Sequence, residues 1–275
     1  NSRKLTILFL EPNKMIESIL KCFEVWTDAQ GIKSKARVKS IDNISLEGVS
    51  RLRELILDLA IRWKLVSQNI NDEPASALLK KIIDKKNKLI EDKIIKKEKL
   101  DLSNEIIENR DIPSNWIQVF LQDVTSVITC GLASTPVYRA EGRIFLSAKN
   151  VKPFRFMPED FQYVDEETYQ KIISWGAKPE KGDILVTRVG AGIGESAIVD
   201  RDIEFAYYVS LTLVKPIQPF INSNFLLYWL NSPEGVKKSI EGTFGKEVSA
   251  GNLNVKQVRK FIFPLPPLSE QNRIV

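Results

Sequence analysis

Apolar residues recur at helical spacing in three stretches of the first half of the chain. Met15, Ile16, Ile19, Leu20, Phe23 and Trp26 make one stripe that ends near Gly31. After a basic connector over 33–39, Leu52, Leu55, Ile56, Leu59 and Trp63 follow at three- and four-residue steps, with Arg51, Arg53, Asp58 and Arg62 between them. That pattern predicts an amphipathic helix over 50–66. Asp72-Glu-Pro-Ala-Ser76 reads as the start of another, with acids in the first turn and a proline whose missing N–H does no harm there. Its apolar stripe holds Leu78, Leu79, Ile82, Ile83, Leu89 and Ile90, and its other face Lys80, Lys81, Lys85, Lys86, Lys88 and Lys93. The lysines are either a solvated face or a surface turned to phosphates.

Residues 96–114 are polar and irregular, and Asp111-Ile-Pro-Ser-Asn-Trp116 is the best candidate domain boundary. Beyond it the period shortens. Ile117–Leu121, Arg143–Ser147, Asp183–Val189, Ser196–Val199 and Val209–Lys215 read as strands, and Glu166–Ile173, Ser223–Asn231 and Glu234–Glu241 as helices. Strands and helices mixed without regular alternation predict an α+β fold, with a β-rich core and separate amphipathic helices. No internal repeat is visible.

Gly190, Gly192 and Gly194 lie between two of those strands. A dinucleotide fingerprint requires a helix after its glycines, whose N-terminus faces the pyrophosphate. Here a strand follows, so the glycines are expected to build a hairpin turn with positive φ, with Arg188 at its mouth. A nucleotide-using enzyme built on 190–194 is the alternative from the catalytic class, and a purely structural helical interaction module is another.

Composition narrows the chemistry. The 275 residues carry a net charge of +5, a mild excess compatible with a polyanionic partner. They include no histidine, which removes imidazole metal sites and every histidine-based nucleophilic arrangement. The two cysteines, Cys22 and Cys130, suggest neither a zinc site nor a disulfide framework, so a reducing, cytoplasmic setting is expected. No run approaches a membrane span. The chain begins without Met and stops at Val275 within an expected helix start, which reads as a fragment of a longer protein.

Three stretches together resemble the specificity subunits of type I restriction-modification systems. The first is Leu52-Arg-Glu-Leu-Ile-Leu-Asp-Leu-Ala-Ile-Arg-Trp-Lys-Leu-Val66 followed by Asn71-Asp-Glu-Pro-Ala-Ser76. The second runs from Ile112-Pro-Ser-Asn-Trp116 through Leu146-Ser-Ala-Lys-Asn150 to Gly182-Asp-Ile-Leu-Val-Thr-Arg188. The third is Phe263-Pro-Leu-Pro-Pro-Leu-Ser-Glu-Gln-Asn-Arg-Ile-Val275. The resemblance implies a DNA reader without catalysis of its own, carrying one target recognition domain. It would work on double-stranded DNA with two methyltransferase subunits and with restriction subunits. S-adenosylmethionine, ATP and Mg would sit on those partners, with no cofactor in this chain. It also implies the division 1–46, a helical segment of unassigned role; 47–110, a conserved helical region; 111–265, the recognition domain; and 266–275, the start of the next conserved helix. Two departures stand out. Trp63 replaces the usual glycine before Lys-Leu-Val, which would let the helix run on, and Glu195 stands where a lysine is common.

Readout of a duplex needs donors aimed at base edges and cations aimed at phosphates. Arg139 and Arg143 are candidates, with solvated loop arginines as the plain reading. Lys149 and Asn150 follow a strand and suit guanine or phosphate and adenine respectively, although Asn150 is equally a turn former. Arg188 is the leading candidate, against a structural ion pair. Lys246 and Asn252 sit in a glycine-bearing loop over 243–254, which is either functional or a simple connection. Leu52, Leu55, Leu59, Leu78, Ile82 and Leu89 are the candidates for docking partner subunits, or for a dimer of fragments through the helices. Phe154, Phe156, Phe161 and Tyr163 alternate like core strand residues. Asp183, Asp200 and Asp202 lack the spacing of a nuclease metal site.

Overall fold

The computed structural model of the chain describes residues 47–97, 112–174, 176–244 and 251–275; the expected helix over 15–26 and Lys246 lie outside the described residues. Helices α1 (Glu47–Ile61) and α2 (Ala75–Glu91) come first, then β1 (Ile117–Phe120) and β2 (Thr125–Cys130). There follow β3 (Arg143–Leu146), the short hairpin of β4 (Val151–Lys152) and β5 (Arg155–Phe156), β6 (Gln162–Val164) and α3 (Glu166–Ile173). The middle holds β7 (Ile184–Thr187), β8 (Ser196–Ile198), β9 (Phe205–Tyr207), β10 (Leu211–Pro216), α4 (Ser223–Leu230) and α5 (Pro233–Glu241). The last elements are β11 (Thr243–Phe244), β12 (Asn252–Leu253), α6 (Val255–Arg259), β13 (Ile262–Leu265) and α7 (Leu268–Ile274). The mixture is α+β, as the irregular order of periods predicts.

A four-stranded antiparallel sheet, ordered β2-β10-β7-β8, divides the interior into two cores. Side chains alternate across a strand, so neighbours enter different cores. Ile184, Val186 and Val214 face one, with Trp116, Phe225, Trp229 and Phe263. Leu185, Leu211 and Leu213 face the other, with Phe145, Tyr169, Phe205 and Tyr207. Because both faces are covered, β7 and β10 are buried throughout, which is why Ile-Leu-Val reads as a continuous apolar run. The second core is roofed by a three-stranded sheet, β6-β3-β9, in which β3 and β9 run parallel.

The helices correct one expectation. Leu78 and Ile82 are 1% and 0% exposed and belong to the first core, together with Ala60 and Ile61 of α1. Their stripe packs on the sheet domain itself and is closed to a partner. Leu59 is also buried, Leu52 and Leu89 are half-buried, and Leu55 is 38% exposed. Of the six docking candidates, Leu55 is the one that presents an open apolar surface, beside exposed Ile56.

A second correction concerns Trp63. The helix does not run on past it: α1 stops at Ile61, and Trp63 takes the left-handed conformation, φ 51, that a glycine would otherwise supply. The Lys64 N–H donates to the Leu59 carbonyl at 2.9 Å, the bond that closes a glycine-type helix end. The strain of a bulky residue at positive φ is offset by packing, since the Trp63 ring stands edge-on to buried Trp116 at 5.9 Å. The same Trp116 donates its indole N–H to Glu270 at 2.9 Å, and Gln68 donates to the other oxygen of that carboxylate at 2.5 Å. Burial raises the pKa of Glu270 above the ordinary carboxylate value. Arg273 joins Asp72 at 2.6 Å, and Gln271 accepts the Asn222 N–H at 2.8 Å. Residues 266–275 are thus bonded to the α1–α2 connection and to the first core. No helix among the described residues is long and apolar enough to cross a membrane.

Candidate nucleic-acid interface

The glycines build a hairpin. Strands β7 and β8 pair antiparallel, the Thr187 N–H donates to the Glu195 carbonyl, and the Gly194 N–H donates back to Thr187, both at 2.9 Å. Gly190 and Gly194 have φ of 94 and 89, open to glycine without strain. A Cβ on Gly194 would also come within 3.0 Å of the Ser239 Cβ. A strand follows the turn, so the helix N-terminus needed for a dinucleotide is missing at this position. Glu195 pairs with Lys152 of β4 at 3.1 Å, joining the two hairpins.

Arg188 lies immediately after β7, and the structure moves it from the expected surface into the interior: it is 9% exposed. Its Nε donates to the Leu253 carbonyl at 3.0 Å, Nη1 to the Val209 carbonyl at 3.3 Å and Nη2 to Asn252 Oδ1 at 2.7 Å. Its backbone N–H donates to Ser210, and its carbonyl accepts from the Leu253 N–H at 2.8 Å. One guanidinium therefore ties the glycine turn to β12 and to the 208–210 connection. Neither expected role fits this geometry, since the side chain is not a free surface cation and no carboxylate among the described residues pairs with it. All three partners are neutral oxygens, so the positive charge is hydrogen-bonded but not cancelled.

Asn252 is exposed and stands opposite Phe244 in the β11–β12 ladder, and Phe244 is 59% exposed. Sequence reasoning passed over Phe244, and a two-residue strand carries no periodicity that would have revealed it. Ser210, also passed over, accepts from the Ala148 N–H at 3.0 Å through its hydroxyl and so links the 147–150 turn to the Arg188 cluster. In that turn Lys149 is exposed and pairs with Asp160 at 2.7 Å. Asn150, by contrast, is 1% exposed. Its oxygen accepts from the Ser147 N–H at 2.9 Å, and its nitrogen donates to the Met157 and Asp160 carbonyls at 2.8 Å each. It is a turn clamp, with no free group to offer an adenine.

Arg139 and Arg143 lie elsewhere. Strand β3 runs from Arg143 towards Leu146 beside Tyr207, which precedes the 208–210 connection, so Arg143 starts roughly 10 Å back from that end. Arg143 bonds Glu166 at 2.5 Å and Glu204 at 3.0 Å, with its guanidinium 4.8 Å from the centre of the Tyr169 ring. Arg139 bonds Asp165 at 3.0 Å, and Lys178 also pairs with Glu204. Asp165 caps α3 by accepting the Thr168 N–H at 2.9 Å. Hydrogen bonds from Thr168, and then from Arg139, hold its carboxyl at about 2.

Two of the carboxylates set aside as metal ligands, Asp183 and Asp200, are otherwise engaged. Asp183 Oδ2 lies 2.5 Å from the buried Lys215 Nζ, which also bonds Glu180 at 2.8 Å. Burial lifts Asp183 to about 6, against the pull of Lys215. Asp200 is paired with Arg201 at 2.7 Å.

Comparison with known proteins gives these residues a context. Residues 113–275 match the sequence model of the type I restriction modification DNA specificity domain. The chain is 29% identical over 268 residues to the specificity subunit of type I restriction enzyme EcoEI of Escherichia coli, covering 92% of this chain and 42% of that one. It is 30% identical to the EcoAI specificity subunit of the same species, covering 94% and 43%. It therefore spans less than half the length of these relatives. Among solved structures, the HsdS subunit from Thermoanaerobacter tengcongensis overlaps at a TM-score of 0.42 and 18% identity, covering 88% of this chain and 55% of that one. With the family's domain matched over more than half of its length, the chain belongs to the type I restriction-modification DNA specificity family.

Proposed function

We propose that this chain is a DNA-reading part of a specificity subunit and recognises one half of a split double-stranded target. The observation that carries the reading is the cluster around Arg188. Its charge is not cancelled by any acid among the described residues, and it is held at the end of a rigid sheet beside exposed Asn252 and Phe244. A preorganised cation, an amide and an aromatic on short loops suit the acceptor-rich surface of a duplex. Family membership supports the same reading, as does the hairpin that replaces a nucleotide-binding helix.

Two methyltransferase subunits, and restriction subunits in the complete enzyme, are the protein partners we assign. S-adenosylmethionine, ATP and Mg would be held by those partners, and bond-making would be theirs. A complex that modifies the chromosome would work in the cytoplasm. Leu55 and Ile56 remain open for docking, whereas Leu78 and Ile82 do not. The described residues within 47–97 and 112–265 share one hydrophobic core, so we treat them as one folding unit in this reading.

Mapping methylated adenines in the genome of cells carrying the full-length gene tests the proposal. A bipartite motif methylated on both halves, lost when the gene is deleted, is the expected result. Methylation unchanged by the deletion would overturn it. A duplex with that motif should also bind with a steep salt dependence, which a purely structural helical module would lack.

A further inference from the structure

We infer that Asn252 meets DNA through its outward amide N–H groups, in an orientation set by Arg188, and so binds a hydrogen-bond acceptor: a purine N7, guanine O6 or a phosphate oxygen. The inference rests on the DNA-reading function proposed above. An asparagine side chain carries one acceptor oxygen and one nitrogen with two donors. In its familiar contact with adenine it uses both, accepting from N6 while donating to N7. In Asn252 one of the two lone pairs on that oxygen is already used. Its Oδ1 is held at 2.7 Å by the Arg188 guanidinium, which is itself fixed by the Leu253 and Val209 carbonyls.

That bond decides which way round the amide lies. A guanidinium has only donors, so it must face the oxygen, and the nitrogen is turned away from it. Asn252 is exposed, and its side-chain nitrogen makes no bond to the described residues. Two N–H groups are therefore offered outward. Flipping the amide to present the oxygen would set its nitrogen against a buried cation and leave that cation short of a partner. The positive charge behind the amide further polarises those N–H groups towards an acceptor. Arg188 is thus a positioning residue, acting on DNA through Asn252.

The test uses the full-length subunit with its methyltransferase partners and a duplex carrying the mapped methylation motif, at one fixed salt concentration. Asn252→Asp keeps an oxygen for Arg188 and replaces the outward donors with an acceptor. It should melt no lower than wild type while binding DNA about tenfold or more weakly. Asn252→Ala controls for the added charge and should bind several-fold more weakly. Purines are then replaced one at a time by their 7-deaza analogues, and phosphates by methylphosphonate. At one position the substitution should weaken wild type about tenfold and leave Asn252→Ala unaffected. If that position is a purine, Asn252 reads a base; if it is a phosphate, Asn252 fixes the register. Wild-type affinity in Asn252→Asp, or additive losses at every position, would overturn the assignment. Wild type that fails to bind the motif duplex at all would overturn the DNA-reading function, and this assignment with it.

Discussion

Two arginines of the same domain sit in opposite surroundings. Arg143, at the start of β3, is half-buried and bonded to two carboxylates, with Arg139 and Lys178 paired to acids beside it. Arg188, after β7, is buried and bonded to neutral oxygens. At the first end the charges cancel at short range, and little field is left for a polyanion. At the second the charge is solvated by the protein yet retained. Cations in a sequence therefore do not mark a DNA surface by themselves; what counts is whether acids sit within bonding distance. Between the two stands Lys215, buried like Arg188 but neutralised like Arg143.

That contrast can be tested through the three cations and one acid. Lys215→Ala should have the largest effect, because it strands the buried Asp183 carboxylate. A loss of about 3–5 kcal/mol is expected in denaturant unfolding. Arg188→Ala should follow, at about 3 kcal/mol, since three charged hydrogen bonds to two segments disappear together. The sequence-based view of Arg188 as a surface contact would have predicted weaker DNA binding with no loss of stability, so unfolding curves separate the two. Arg143→Ala should leave the denaturant midpoint close to that of wild type, since exposed ion pairs add little to stability. It should leave affinity for the motif duplex within about twofold; a tenfold loss in the titration would break the comparison.

The smallest expected effect is that of Asp165→Asn, read in acid. The Asp165 carboxyl titrates at about 2 in the fold against an ordinary 3.8, so it binds fewer protons folded than unfolded between those values. Its contribution is fully present above about pH 4 and is lost as the pH falls towards 2. Asparagine can still cap α3 but cannot titrate, so the acid limb of the stability curve should be shallower in the variant. Superimposable acid limbs would show that the Asp165 carboxylate, held by Thr168 and then by Arg139, contributes nothing to that limb.

Much of the fold was legible because its signals are local. Helix α3 was read at Glu166–Ile173, the observed bounds. The buried runs of β7 and β10 and the glycine hairpin also followed from period and turn chemistry. The strand β2 was missed because Thr-Ser-Val-Ile-Thr-Cys at a sheet edge has no clean alternation, and β9 because three residues are too few to define a period. Trp63 misled for a different reason. The absent glycine argued for a longer helix, but contact with Trp116, 53 residues further along the chain, holds a tryptophan at positive φ.

The candidate site divides along the same line. Sequence alone singled out Arg188 and Asn252 as groups chemically able to meet DNA, excluded histidine chemistry, and named the family through motifs whose order survives without any coordinates. Which of those groups is free to act was a tertiary decision. The partners of Arg188 lie 21, 64 and 65 residues away, so no window of local pattern contains them. A side chain's type sets which bonds it can make. Only the folding of distant segments onto one another determines which of those bonds are already taken and which face outward.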